Sequence, residues 1–251
     1  MLTAADIAVA FGGFQALRGV TVEAAPGAIV GIVGPNGSGK STLLNVIAGI
    51  QLPSRGEVRL NGRKVPLGRP DIVAAHGIGR TFQIPRLARR LTVLQNMLVG
   101  APGQPGERLF PLFLDPPRVA RREREIADGA LTILRRLGLA AKANDYAGGL
   151  SGGQQKLLSM GMLLMADPQV LLLDEPAAGV NPVLIEQQVA FLAALRDEGR
   201  FVLLIEHNME MVANLCDRVY VLDAGEVIAE GTPAAIRSDA TVMRSYLGQP
   251  A

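Results

Sequence analysis

The stretch that most constrains this chain is "AIVGIVGPNGSGKSTLLNVIAGI", residues 28–50. It opens as a short apolar run that stops at Gly34, the pattern of a buried strand. It closes with Leu43, Leu44, Ile47 and Ile50 at helical spacing. Between them, "GPNGSGKST" fits G-x-x-x-x-G-K-[ST] in the strand-to-helix setting that a phosphate-binding P-loop needs. Backbone N–H groups must wrap a phosphate at close range, so Gly34, Gly37 and Gly39 keep bulk away, with Pro35, Asn36 and Ser38 filling the turn. The helix start adds partial positive charge. Lys40 supplies a full charge to the outer phosphates. The Ser41 hydroxyl, beside Thr42, is a hard oxygen ligand suited to Mg²⁺.

Two further apolar runs, "VLLLDEP" at 170–176 and "FVLLIEH" at 201–207, stop at polar residues. Continuous runs of this kind mark strands buried on both faces of a parallel sheet. The segment between them reads as a helix, with Asn181 as N-cap, Pro182 at the first position and Gly199 past the end. Strand, helix, strand makes an α/β sheet. Ligands of such sheets bind at the carboxyl ends of the strands. Asp174 is therefore placed to hold Mg²⁺ through water, Glu175 to orient and polarise an attacking water, and His207 to reach a γ-phosphate. Gln83, in "GRTFQIPRL", stands just before the middle of the chain, where its amide could touch the metal. His76 has no such setting and reads as a surface residue.

The ends alternate more. "DIAVAF" and "RVYVLDAGEVIAEG", the latter turning at 223–225, predict antiparallel strands flanking the parallel core. The middle, from about 83 to 150, lacks strand runs and reads as helical, with an apolar knot "LFPLF" inside a Pro- and Gly-rich loop. Arg118, Arg121, Arg122 and Arg124 form a solvated helix face. A formal charge of +2 in 251 residues, no Trp and few aromatics argue against a nucleic-acid partner. The single Cys216 excludes an internal disulfide and reads as a small packed hydrophobe. The N-terminal segment lacks a basic region and makes a poor signal peptide. No apolar run reaches spanning length. These features predict a cytoplasmic protein whose membrane role, if any, runs through a partner.

One helix start is odd. In "GGLSGGQQKLL" Ser151 can cap the helix and Gln154 completes an S-x-x-Q capping box. Gly152 and Gly153, between them, each cost about 1 kcal/mol relative to Ala inside a helix.

Taken together these residues resemble the nucleotide-binding subunits of ATP-binding cassette (ABC) transporters along nearly the whole chain. "GPNGSGKST" matches Walker A, Gln83 the Q-loop, "LSGGQ" the signature, "VLLLDEP" Walker B and His207 the switch histidine. Phe11 sits where the family places an aromatic that stacks on adenine. The resemblance implies a single nucleotide-binding domain over 1–251: a P-loop NTPase core with a mostly parallel sheet, antiparallel terminal strands and an inserted helical subdomain at 84–155. It implies ATP and Mg²⁺ as ligands, with Ser41, Gln83 and Asp174 at the metal. Two cassettes, identical or different, would pair head to tail, so that Ser151, Gly152, Gly153 and Gln154 of one close over ATP held by the other. Integral membrane permease subunits would dock between about 83 and 101 and on the helical insertion, at the cytoplasmic face of the cell membrane.

"GIGRTFQIPRLARRLTVLQNMLVGA", "DEPAAGVNP", "IEHNM" and the C-terminal "TPAAIRSDATVMRSYLGQP" look like the ATPases of branched-chain (hydrophobic) amino acid importers. Relatives that import urea or amides, lipopolysaccharide-export ATPases and non-transport ABC ATPases are the alternatives. Sustained heptads of the last kind are absent. A non-enzymatic nucleotide sensor is disfavoured by the presence of Glu175, Gln83 and His207. Two positions depart from the family pattern. Asn181 stands where the D-loop usually carries Asp, and Met162 where an Arg is usual; with Met160 and Met165 the latter reads as core packing.

Overall fold

A computed structural model describes residues 1–104 and 115–242. The "LFPLF" knot and the last part of the C-terminal segment lie outside the described residues. The chain divides into two compact units, Met1–Gln83 with Pro168–Ala178 and Leu192–Ala251, and Ile84–Asp167 with Gly179–Phe191.

The first unit holds two sheets. Strands β1 (Leu2–Phe11), β2 (Phe14–Ala24), β4 (Arg55–Leu60) and β5 (Arg63–Lys64) form an antiparallel sheet in the order β2-β1-β4-β5. The N-terminal strands thus build their own sheet rather than edging the parallel one. The second sheet has the order β10-β9-β3-β8-β7-β6. Its members are β3 (Ile29–Val33), β6 (Ile78–Arg80), β7 (Val170–Asp174), β8 (Phe201–Ile205), β9 (Arg218–Asp223) and β10 (Glu226–Gly231). All its pairings are parallel except the β9–β10 hairpin, which turns at Ala224 and Gly225. Every residue of β3, β7 and β8 is buried, as their apolar runs require, and Asp174 at the end of β7 is the one charged member. Gly31 leaves room for the buried thiol of Cys216, whose Sγ would lie 3.0 Å from a Cβ there. Burial pushes that thiol up to about 12.

Helix α1 (Lys40–Ile47) buries Leu43, Leu44, Val46 and Ile47 in a core shared with β1, β3 and β8. Full burial of such side chains is worth roughly 1.5–3 kcal/mol each. The helix is shorter than the spacing of apolar residues predicts. Gly49 adopts a left-handed φ of 71°. The N–H of Ile50 then reaches Asn45 O at 2.8 Å and that of Gly49 reaches Val46 O at 2.9 Å, a Schellman stop. Ile50 therefore lies beyond the helix and exposed, not on its buried face. Helix α2 (Pro70–Ala75) precedes β6, with His76 exposed at its end.

The second unit is helical: α3 (Val93–Val99), α4 (Pro116–Arg136), α5 (Gly152–Leu164) and the start of α6 (Pro182–Asp197). The pattern of α4 buries Val119, Ile126, Ala130 and Leu134, and leaves the arginine face in solvent. Asn181 Oδ1 accepts from Leu184 N at 2.9 Å, capping α6 as its sequence predicts. Buried Asn96 organises the chain before α3: it accepts from Ala88 N at 2.9 Å and donates to the carbonyls of Ala88 and Thr92 at 3.1 and 2.9 Å. Met160 is buried, and Met162 and Met165 are half-buried, in line with packing. No helix among the described residues is long and apolar enough to cross a membrane.

Candidate nucleotide site

The sheet order sets the site. Neighbouring strands β3, β8, β7 and β6 run parallel, and from their carboxyl ends emerge, in that spatial order, the P-loop, His207, Asp174 with Glu175, and Gln83. Four segments far apart in sequence thereby meet along one sheet edge.

The loop at 34–39 is wrapped by its own backbone. Gly39 caps α1 in a left-handed conformation, φ 103°, and among the described residues no side-chain cap bond closes the helix start. The first N–H groups of a helix have no intrahelical partner, so this start is a cluster of donors. A Cβ at Gly39 would lie 2.6 Å from Leu17 Cδ2 and 2.7 Å from Ala16 O, whereas one at Gly37 would meet nothing within 4 Å. Lys40 is buried, and its Nζ donates to Gly34 O at 2.9 Å and Pro35 O at 2.8 Å. Burial lowers the pKa of its amine, while the charges of Glu175 and Asp174 oppose that shift. Ser38 Oγ is buried with no hydrogen-bond partner among the described residues. A buried cation, an orphaned hydroxyl and uncapped amides are what a bound polyphosphate would satisfy. Ser41 lies exposed on the first turn and Thr42 is half-buried.

Glu175 follows β7 with φ 48°, a left-handed backbone that costs a non-glycine residue of order 1 kcal/mol or more. Its carboxylate is held from two sides. Gln83 Nε2 donates to Oε2 at 2.9 Å, and His207 Nε2 lies 3.1 Å from Oε1. A carboxylate only accepts, so Nε2 of His207 carries the hydrogen.

Asp174 is engaged differently. Arg80 Nη2 donates to its Oδ2 at 2.9 Å, and both side chains are under a tenth exposed. The same guanidinium bonds Asn45 Oδ1 on α1 and lies over the Phe82 ring, and Thr81 Oγ1 accepts from Asp174 N. Arg80 therefore ties the helix after the P-loop to the end of β7. Sequence reasoning missed it. Its position three residues before Gln83, at the end of a strand, is the only signal for it. Ser41, Gln83 and Asp174 offer hydroxyl, amide and carboxylate oxygens, a hard donor set that fits Mg²⁺. Among the described residues no cluster of three His, Cys, Asp or Glu forms a protein-only metal site.

Phe11 is half exposed at the tip of the β1–β2 hairpin, paired with Phe14 across Gly12 and Gly13. In the second unit, Ser151 caps α5 with a complete capping box: Ser151 Oγ accepts from Gln154 N at 3.3 Å and Gln154 Oε1 from Ser151 N at 3.1 Å. A Cβ at Gly152 would meet nothing within 4 Å, but one at Gly153 would lie 2.9 Å from Leu184 Cδ1 and 3.1 Å from Val180 Cγ1. The two glycines differ: the first is open, the second is packed.

Residues 17–178 match the family model described as ABC transporter, and residues 226–251 that described as branched-chain amino acid ATP-binding cassette transporter. The chain is 38% identical over 250 residues to the high-affinity branched-chain amino acid transport ATP-binding protein LivG of Escherichia coli K12, covering 99% of this chain and 98% of that one. A solved nucleotide-free ATP-binding cassette from an ABC transporter is similar, with a TM-score of 0.86 and 37% identity, over 99% of both chains. The dimeric structure of MJ0796, a bacterial ABC transporter cassette, is similar at a TM-score of 0.76 and 27% identity, covering 93% of this chain and 99% of that one. The chain thus belongs to the ABC transporter ATP-binding family, in its branched-chain amino acid branch.

Proposed function

We propose that this chain hydrolyses ATP to drive an importer of branched-chain or other hydrophobic amino acids, with Glu175 as the group that activates water. The observation that carries the reading is the Glu175 carboxylate, fixed between Gln83 and His207 at 2.9 and 3.1 Å, on the sheet edge that also bears the P-loop. The P-loop amides and Lys40 bind and orient the triphosphate, with Phe11 against the adenine. Water attacks the γ-phosphorus in line, the bond to the bridging oxygen of ADP breaks, and Glu175 takes up the water's proton. His207 and Gln83 hold the carboxylate to that task. Ser41, Gln83 and Asp174 would hold Mg²⁺, which would supply positive charge to offset that of the phosphates.

A second cassette completes the site: its Ser151, Gly152, Gly153 and Gln154 face the γ-phosphate through backbone and hydroxyl. The capping box at Ser151 and the open side of Gly152 support this reading. The ATPase would work at the cytoplasmic face of the cell membrane, held by permease subunits. Exposed Ile84 and Val99, 79% and 64% accessible, support an apolar contact for them on the helical unit.

The test is Glu175→Gln. Nucleotide binding should persist and a closed dimer should accumulate, while hydrolysis falls by roughly 100- to 10,000-fold, the range of a lost general base. Hydrolysis at the wild-type rate would remove Glu175 from this role.

A further inference from the structure

Glu206, directly before His207, is a carboxylate only 2% exposed. It accepts three backbone N–H groups from two segments. Oε1 takes Ala177 N at 2.7 Å, in the chain just past Glu175. Oε2 takes His207 N at 3.0 Å and Asn208 N at 3.1 Å. Asn208 in turn caps the next helix, α7 (Met209–Leu215), accepting from Met211 N at 3.0 Å. A buried carboxylate is costly unless its lone pairs are satisfied, and three charge-assisted N–H bonds do that.

We infer that Glu206 is the positioning residue that locks the turn after Glu175 to the turn that carries His207, and so keeps the two side chains in register. The inference rests on the roles proposed above for Glu175 and His207. Glu175 holds a left-handed backbone, which persists only where the surroundings over-determine it. Its own N–H is tied to Ile205 O at 3.0 Å, and the turn beyond it is tied at Ala177 by Glu206. Both restraints come from the end of β8, one residue apart. A shift in β8's exit therefore moves Glu175 and His207 together. No neutral side chain of this size can replace Glu206, because a glutamine would turn an NH₂ group towards at least one of the three backbone donors.

The experiment compares Glu206→Gln with the wild type in three measurements: ATP turnover, ADP affinity, and amide hydrogen exchange of the nucleotide-free protein. The expected result is a kcat lower by on the order of 10- to 100-fold, as for a small misplacement of reacting groups, with ADP affinity within about twofold of the wild type. Exchange should quicken in both 175–178 and 206–209. Should Glu206→Gln fail to fold, Glu206→Asp, which keeps the charge but shortens the reach, carries the same expectation. A folded variant with wild-type kcat overturns the inference, as does faster exchange confined to 206–209. Glu175→Gln is measured beside it. Wild-type hydrolysis in that variant defeats the reading of Glu175 itself, whereas its loss with Glu206→Gln unaffected defeats only the coupling.

Discussion

The two glycine-rich helix starts of this molecule look alike in sequence and are built in opposite ways. The start of α1 has a left-handed glycine as its cap, which offers no side chain to its amides. The start of α5 is closed by its own Ser151–Gln154 box. The first leaves its backbone donors for a ligand and adds a buried lysine; the second satisfies itself and presents a small, neutral, rigid tip. That division suits a site in which one helix start binds the phosphate chain and another caps it. Each start also splits its glycines: Gly39 and Gly153 answer to close neighbours within their own units, while Gly37 and Gly152 face open space.

The glycine split can be broken by a pair of substitutions. Gly153→Ala pushes a methyl against Leu184 and Val180 and should lower stability by roughly 1–3 kcal/mol, as overpacking does. Gly152→Ala should leave stability within about 1 kcal/mol of the wild type, since alanine is the better helix former, yet slow turnover. Denaturant unfolding with parallel ATPase assays reads both. Equal stability losses would mean that the two glycines have one common structural reason.

A smaller effect sharpens the contrast in charge. Burial lowers the pKa of Lys40 below the ordinary 10.5. Nucleotide affinity should therefore begin to fall at an alkaline pH below that value, by less than about tenfold per pH unit, as the amine loses its proton. The sign separates this from unfolding. Between the folded and unfolded pKa values the unfolded chain binds more protons, so Lys40's own contribution to stability rises with pH through the same window. A fluorescent-nucleotide titration across alkaline pH reads the effect. Affinity that stays flat to pH 10.5 would place the amine's charge outside phosphate binding.

Much of this was legible before any coordinates. The switch from an apolar run to helical spacing across "GPNGSGKST" marks β3 and α1, and the fully buried β7 and β8 follow from apolar runs, with Asp174 as the one polar residue at the end of β7. Local rules carried less at the ends of elements. Ile50 continues the helical spacing, but Gly49's positive φ stops the helix before it. Alternation in "DIAVAF" identifies a strand, not which sheet it joins. Buried charge was the least legible. Arg80 and Glu206 look like ordinary polar residues in sequence. Only the parallel order of β3, β8, β7 and β6 brings Arg80 to Asp174 and Glu206 to Ala177.

The central claim is that each helix start serves a different polypeptide's nucleotide, and mixing two crippled variants tests it most directly. Lys40→Ala keeps an intact α5 start and Ser151→Arg keeps an intact P-loop, so each alone should turn over almost no ATP. Mixed, they form pairs with one whole site, and ATPase activity should return to as much as about a quarter of the wild-type rate. A mixture as silent as its components, with pairing of the two variants demonstrated, would contradict the account.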